Sequence, residues 1–144
     1  AAGADVLLTV TPSKIPIILD EWISDGAHIN AMGADAPGKQ ELDPAILRRA
    51  DVFVDDMDQA THSGEVNVPI REGIYTPSQI RGTLGGVLTG AIPKPTPGTI
   101  TVFDSTGLSI TDLAAAHLAI GKGTIIDLPF MQNANTPGIS GVRE

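Results

Sequence analysis

Four short apolar runs, each closed by small, hydroxylated or acidic residues, limit this chain to few architectures. They are "ADVLLTV" from Ala4 to Val10, "AHINAMGA" from Ala27 to Ala34, "DVFVDD" from Asp51 to Asp56, and Thr99 to Phe103 of "TITVFDSTG". In the first of them the apolarity is continuous rather than alternating, as in a strand covered on both faces of a parallel sheet. Helix signals stand between them. Asp20 can cap a short helix in "LDEWISDG", with Gly26 at a left-handed stop. Asp43 and Pro44 supply the N-cap and first turn of "LDPAILRRA". "MDQATHSGE" reads as a helical turn, and Thr76 and Pro77 predict a helix that Gly90 closes. Inside that last stretch Gly82, Gly85 and Gly86 each cost about 1 kcal/mol against Ala. "PKPTPG" is a stiff linker, and "SITDLAAAHLAI" opens on a capping-box-like pair, Ser109 and Asp112. The tail "QNANTPGISGVRE" is rich in turn residues and reads as irregular. Strand and helix in alternation give an α/β fold with a parallel sheet and right-handed crossovers.

Composition narrows the function classes. A chain of 144 residues can bury one core, and a formal net charge of −8 repels phosphate backbones. Only nine Lys and Arg residues and 3% aromatics leave neither a basic patch nor a base-stacking platform, so no nucleic-acid partner is expected. No apolar run reaches the ~18 residues of a membrane span, and no basic leader precedes an apolar stretch. With no cysteine, these features predict a cytoplasmic chain that meets no membrane.

In parallel sheets ligands bind beyond the carboxyl ends of the strands. The residues predicted there are Thr9 to Ser13, Gly33-Ala34-Asp35, Asp55-Asp56 and Asp104 to Gly107, small, hydroxylated and acidic groups converging on one edge. Asp35 and Lys39 put opposite charges in "GADAPGKQELD", just before the chain restarts as a helix.

The blocks "INAMGADAPGKQELD", "DVFVDDMDQATHSGEVNVP" and "ITVFDSTGLSITDLAAAHL" resemble the ornithine cyclodeaminase/mu-crystallin family, and within it the archaeal-type alanine dehydrogenases. The likeness runs from about Asp5 to about Leu118. It implies the later half of a Rossmann-like, NAD-binding domain over residues 1–110, then a return helix and tail over 111–144 that lead toward a substrate and dimer domain. The family's G-x-G-x-x-G turn and its substrate-carboxylate clamp have no counterpart here, and "GTLGGVLTG" follows no predicted strand. The chain is therefore expected to be a homodimer, or to be held by another part of its own protein, and to show an apolar sheet edge and face by itself.

The resemblance also implies roles. Asp35 matches an acid/base aspartate, and Lys39 of the same block holds cofactor or pairs with Asp35. Thr9, Thr11 and Ser13 match a "TxTPS" strand end that lines the dinucleotide, with Ala34 beside it. Ser105 and Thr106 of "FDSTG" match residues near the nicotinamide carboxamide. Plain alternatives stand beside each role: a solvated turn aspartate, a surface lysine, a turn before Pro12 and a helix cap. The implied cofactor is NAD, with NADP open, and the implied substrate is a small amino acid. Alanine oxidation to pyruvate and ammonia comes first, and cyclisation of ornithine to proline is the nearest alternative. A truncated, non-catalytic binding module is the alternative of another class.

No metal site is expected. Asp55, Asp56, Asp58 and Glu65 are read as an acidic strand end facing solvent. His28 is read as a hydrogen-bonded strand histidine and His117 as a structural helix residue. His62 and Ser63 are neighbours on a turn and are not read as a nucleophile pair.

Overall fold

The computed structural model describes residues 1–120 and 122. Its strands are β1 (Val6–Thr9), β2 (His28–Ala31), β3 (Asp51–Val54), β4 (Gly82–Thr83) and β5 (Thr101–Asp104). The helices are α1 (Pro44–Arg49), α2 (Met57–Ser63), α3 (Asn67–Arg71), α4 (Leu84–Leu88) and α5 (Ser109–Ala119). Among the described residues the strands run parallel in the order β1-β2-β5-β3-β4, so β5 lies in the middle of the sheet. The α/β class and the parallel sheet read from the sequence are present.

Register decides which residues make the core. Leu7, Ile29, Val102 and Val52 lie side by side across the sheet, as do Thr9, Ala31, Asp104 and Val54. This face is covered by Leu42, Ile46, Leu47, Ala60, Val66 and Tyr75, and the central strands bury their aliphatic side chains completely there. Each fully buried aliphatic side chain contributes about 1.5–3 kcal/mol. Asp43 accepts from the Ala45 amide at 2.9 Å and Pro44 follows, so α1 starts where the capping signals place it.

The opposite face carries the rows Val6, His28, Thr101, Asp51 and Leu8, Asn30, Phe103, Phe53. Val6 and Leu8 are 64% and 60% exposed, which is the open apolar face and edge expected of this chain. Among the described residues α4 covers only the β3–β5 side of that face. A five-residue helix is about 7.5 Å long and screens about two strands. His28 is hydrogen-bonded on this face, Nδ1 to the Thr101 hydroxyl at 2.7 Å.

Several local expectations change. The helix predicted from Thr76 to Gly90 is a 3-10 turn over Pro77–Gln79, then β4, then α4. The Arg81 amide leaves the helical path to donate to the Val52 carbonyl at 2.9 Å, which draws Gly82 and Thr83 into the sheet. Gly82 has φ of +148°, and a Cβ on Gly86 would lie 2.6 Å from Ile92 Cγ1. These glycines serve close approach and backbone reach rather than a weak helix. The helix expected at "LDEWISDG" contracts to a 3-10 turn over Asp20–Trp22, because the Asp20 carboxylate receives Arg49 Nε at 2.6 Å instead of capping. The Ser109–Asp112 box does not form; Leu108 is the N-cap of α5. His117 is exposed, since no residue of α5 is buried among the described residues. The tail predicted as irregular lies outside the described residues.

Candidate active site at the strand ends

The ladder continues past the strands. The Met32 amide donates to the Thr9 carbonyl at 2.9 Å, the Ser105 amide to the Ala31 carbonyl at 3.0 Å, and the Asp55 amide to the Asp104 carbonyl at 3.2 Å. Three loops therefore leave the sheet side by side, and the residues singled out from the sequence stand together on one edge.

Asp35 and Lys39 form an ion pair four residues apart, closed by a turn in which the Lys39 amide donates to the Ala36 carbonyl at 3.1 Å. The Asp35 side chain is 56% exposed, so burial has little hold on it. The hydrogen bond and charge of Lys39 keep its carboxyl below the usual aspartate range. Asp35 is ionised at neutral pH. Ala34 beside it is buried.

The threonines differ from one another. Thr9 points into the core, and its buried hydroxyl has no hydrogen-bond partner among the described residues. Thr11 is exposed, with its amide donating to Glu41 Oε1 at 2.6 Å. The Ser13 hydroxyl donates to the Ile15 carbonyl at 2.7 Å and so serves its own loop.

Ser105 and Thr106 are gathered by Asp55. Its Oδ2 accepts from the Ser105 hydroxyl at 2.9 Å, the Thr106 amide at 2.9 Å and the Gly107 amide at 3.0 Å. Asp56 caps α2 by accepting from the Gln59 amide at 2.9 Å. The acidic end of β3 was expected to face solvent; instead its two carboxylates satisfy backbone donors. The successive N–H groups of Thr106 and Gly107 converge on Oδ2, and Oδ1 accepts from the Asp56 amide at 2.8 Å.

Three further acids hold this edge, and all are fully buried: Asp104, which the sequence places at the strand ends, Glu65, which was expected to face solvent, and Glu41, to which the sequence assigns no role. Glu41 accepts from the Thr11 amide through one oxygen and from the Gly33 amide at 3.0 Å through the other. Glu65 accepts from the Glu41 amide at 2.9 Å and the Leu42 amide at 2.7 Å. Asp104 accepts from the Val66 amide at 3.3 Å. Asn67 fastens the same loop, accepting from the Gly38 amide at 2.9 Å and donating to the Lys39 carbonyl at 3.0 Å. No local signal marks them, because seventeen acids against nine cations leave many unpaired and water serves an exposed one as well as an amide does.

Burial pushes the Glu65 carboxyl up to about 8 against the opposing pull of the Leu42 and Glu41 amides; the Asp104 and Glu41 charges add to the rise. Burial likewise pushes Asp104 up to about 7. A carboxyl raised this way keeps its proton in the fold after the unfolded chain has lost it. Stability attributable to Glu65 is thus complete below 4.5 and falls as pH rises to about 8. In Glu65→Gln this part of the slope disappears. Denaturant midpoints measured across that range are expected to fall less steeply for the variant than for the parent.

A cavity of about 410 Å³ opens at the same edge, lined by Met32, Phe103, Leu84 and Leu88, with Asp55, Ser105 and Thr111 as polar members. Among the described residues no group of His, Asp and Glu stands close enough to hold a metal ion. No described helix is long and apolar enough to cross a membrane.

The profile of the ornithine cyclodeaminase/mu-crystallin family matches residues 1–122. An alanine dehydrogenase of Archaeoglobus fulgidus is 48% identical over 119 residues, 82% of this chain and 37% of that protein. An iminosuccinate reductase of Paracoccus denitrificans is 40% identical over 119 residues, 83% of this chain and 37% of that protein. Among solved structures, an archaeal alanine dehydrogenase dimer with bound NAD superposes with a TM-score of 0.75 at 46% identity, covering 82% of this chain and 38% of that one. The chain thus spans little more than a third of the length of these relatives.

Proposed function

Because the chain belongs to the ornithine cyclodeaminase/mu-crystallin family, we propose that it forms the nicotinamide side of an NAD-dependent enzyme that interconverts an amino acid and its imine. The observation that carries this reading is the ionised, exposed Asp35 held by Lys39 on the strand-end edge. Alanine is the first substrate to test, on the likeness to alanine dehydrogenase. The iminosuccinate reductase and the cyclodeaminases that give the family its name keep other amino acids as the second choice.

NAD, when bound, supplies the hydride acceptor for the substrate α-carbon. The residues of this chain do the rest of the work assigned here. In this reading Thr11 and Ser13 line one side of the edge, with Ala34 buried beside Asp35, and Ser105 and Thr106 line the other, their loop fixed by Asp55. Asp35 takes a proton from the substrate nitrogen or from the water that adds to the imine carbon. It returns a proton to the nitrogen as ammonia leaves. Lys39 keeps Asp35 charged and aimed.

The test is an assay of the whole protein with NAD and a panel of amino acids, run also in reverse with NADH, ammonia and the matching oxo acids. Alanine is expected to give the highest kcat/KM. Turnover with none of them overturns the reading in favour of a non-catalytic module. A companion variant reads the ion pair. Lys39→Met removes the charge that holds Asp35 down, so the acidic limb of the kcat/KM profile is expected to move to higher pH. A limb that stays in place separates Lys39 from the reacting aspartate.

A further inference from the structure

We propose that Glu41 is a positioning residue, whose buried carboxylate ties the loop after β1 to the loop that carries Asp35 and so sets the geometry of the strand-end edge. The proposal rests on the reading of Asp35 given above. Glu41 is fully buried and pairs with no cation among the described residues; both of its oxygens are spent on backbone N–H groups from different loops, Thr11 and Gly33. Thr11 is thirty residues from Glu41 in sequence and Gly33 only eight, so one carboxylate joins a distant strand end to the start of its own loop. The far end of that loop is fastened separately, with the Glu41 and Leu42 amides on Glu65 and the Gly38 amide on Asn67. The segment bearing Asp35 and Lys39 is therefore closed at Gly33, Gly38 and Glu41, while Asp35 itself remains outward.

The arrangement needs a carboxylate. Two N–H donors converge on Glu41, and an anion accepts both, with charge-assisted bonds about twice as strong as neutral ones. A glutamine of the same shape offers one acceptor and turns an NH₂ group toward the other donor. One strand end must then let go. The neighbouring backbone leaves little slack, since a Cβ on Gly33 would lie 2.3 Å from Glu41 Oε2 and 2.4 Å from the Thr11 carbonyl oxygen.

The test is Glu41→Gln in the whole protein, with steady-state kinetics and amide hydrogen exchange measured together. Loosening the Asp35 loop misplaces the acid/base without removing it, so kcat is expected to fall roughly 10- to 100-fold. KM for the amino acid is expected to change less than about threefold if the loop acts on the chemical step alone. Exchange at Thr11 or Gly33 is expected to quicken. A folded variant with unchanged kcat, or one whose loss of activity follows only its folded fraction, overturns the proposal. Should the variant fail to fold, exchange in the parent decides. Thr11 and Gly33 are expected to open as one unit, and independent opening refutes the tie. A parent inactive on every amino and oxo acid overturns the enzymatic reading, while its exchange pattern still reports on the Glu41 contacts alone.

Discussion

Replacing Asp35 by Asn in the whole protein is expected to lower kcat/KM for its amino acid by about 10²- to 10⁴-fold, the range of a lost general acid–base. The fold should barely notice. Asp35 is more than half exposed, and its side-chain partner is Lys39, an exposed pair of the kind that contributes about 0–1 kcal/mol. The variant keeps the shape of the side chain and removes its ability to take a proton. Initial rates and a thermal midpoint measured on the same preparation check both halves. A midpoint near that of the parent with activity lost is the expected pair. Activity within a few-fold of the parent would return Asp35 to the plain reading of a solvated turn aspartate.

The largest effect on stability is expected from Gly33→Ala. A methyl group there would meet Glu41 Cδ and the Thr11 carbonyl oxygen at 2.4 Å each, far inside contact distance. Neither neighbour can yield freely, because Glu41 is buried and bonded to two amides, and the Thr11 oxygen is backbone. Overpacking of this kind costs about 1–3 kcal/mol, and separating the Glu41 carboxylate from its donors adds to it. Gly85→Ala supplies the contrast. Its nearest atom would be 4.0 Å away, inside α4, and the substitution is expected to stabilise by about 0.4–1 kcal/mol. Chemical denaturation of the two variants should therefore move the midpoint in opposite directions. A neutral Gly33→Ala would show that the two loops are not packed through Glu41.

Much of the frame is legible in residues alone, for reasons that can be named. Short apolar runs betray the four main strands; in β2 and β5 the polar His28, Asn30 and Thr101 fall together on the face away from the core. Asp43-Pro44 announces α1 through local hydrogen bonding that no distant contact overrides. The convergence of Thr9, Asp35, Asp55 and Asp104 on one edge follows from parallel strands, whose ends must coincide. What escapes the sequence is set by long-range partners. Nothing near Thr76 to Gly90 shows that Arg81 will bond to Val52, nor that Gly86 must admit Ile92. Glu41, Glu65 and Asp55 look like ordinary surface acids, since their partners are backbone amides brought by other segments. The roles of Asp35, Lys39 and the hydroxyl residues came from family resemblance, and the geometry adds the carboxylates that hold their loops.

In the proposed enzyme the nicotinamide end of NAD lies against this strand edge. Amide hydrogen exchange of the whole protein, with and without saturating NAD, tests it most directly. Slowed exchange confined to the stretches from Thr11 to Ser13, Ala34 to Lys39 and Ser105 to Gly107 is the expected result. Demonstrable NAD binding that leaves all three stretches unchanged would contradict it.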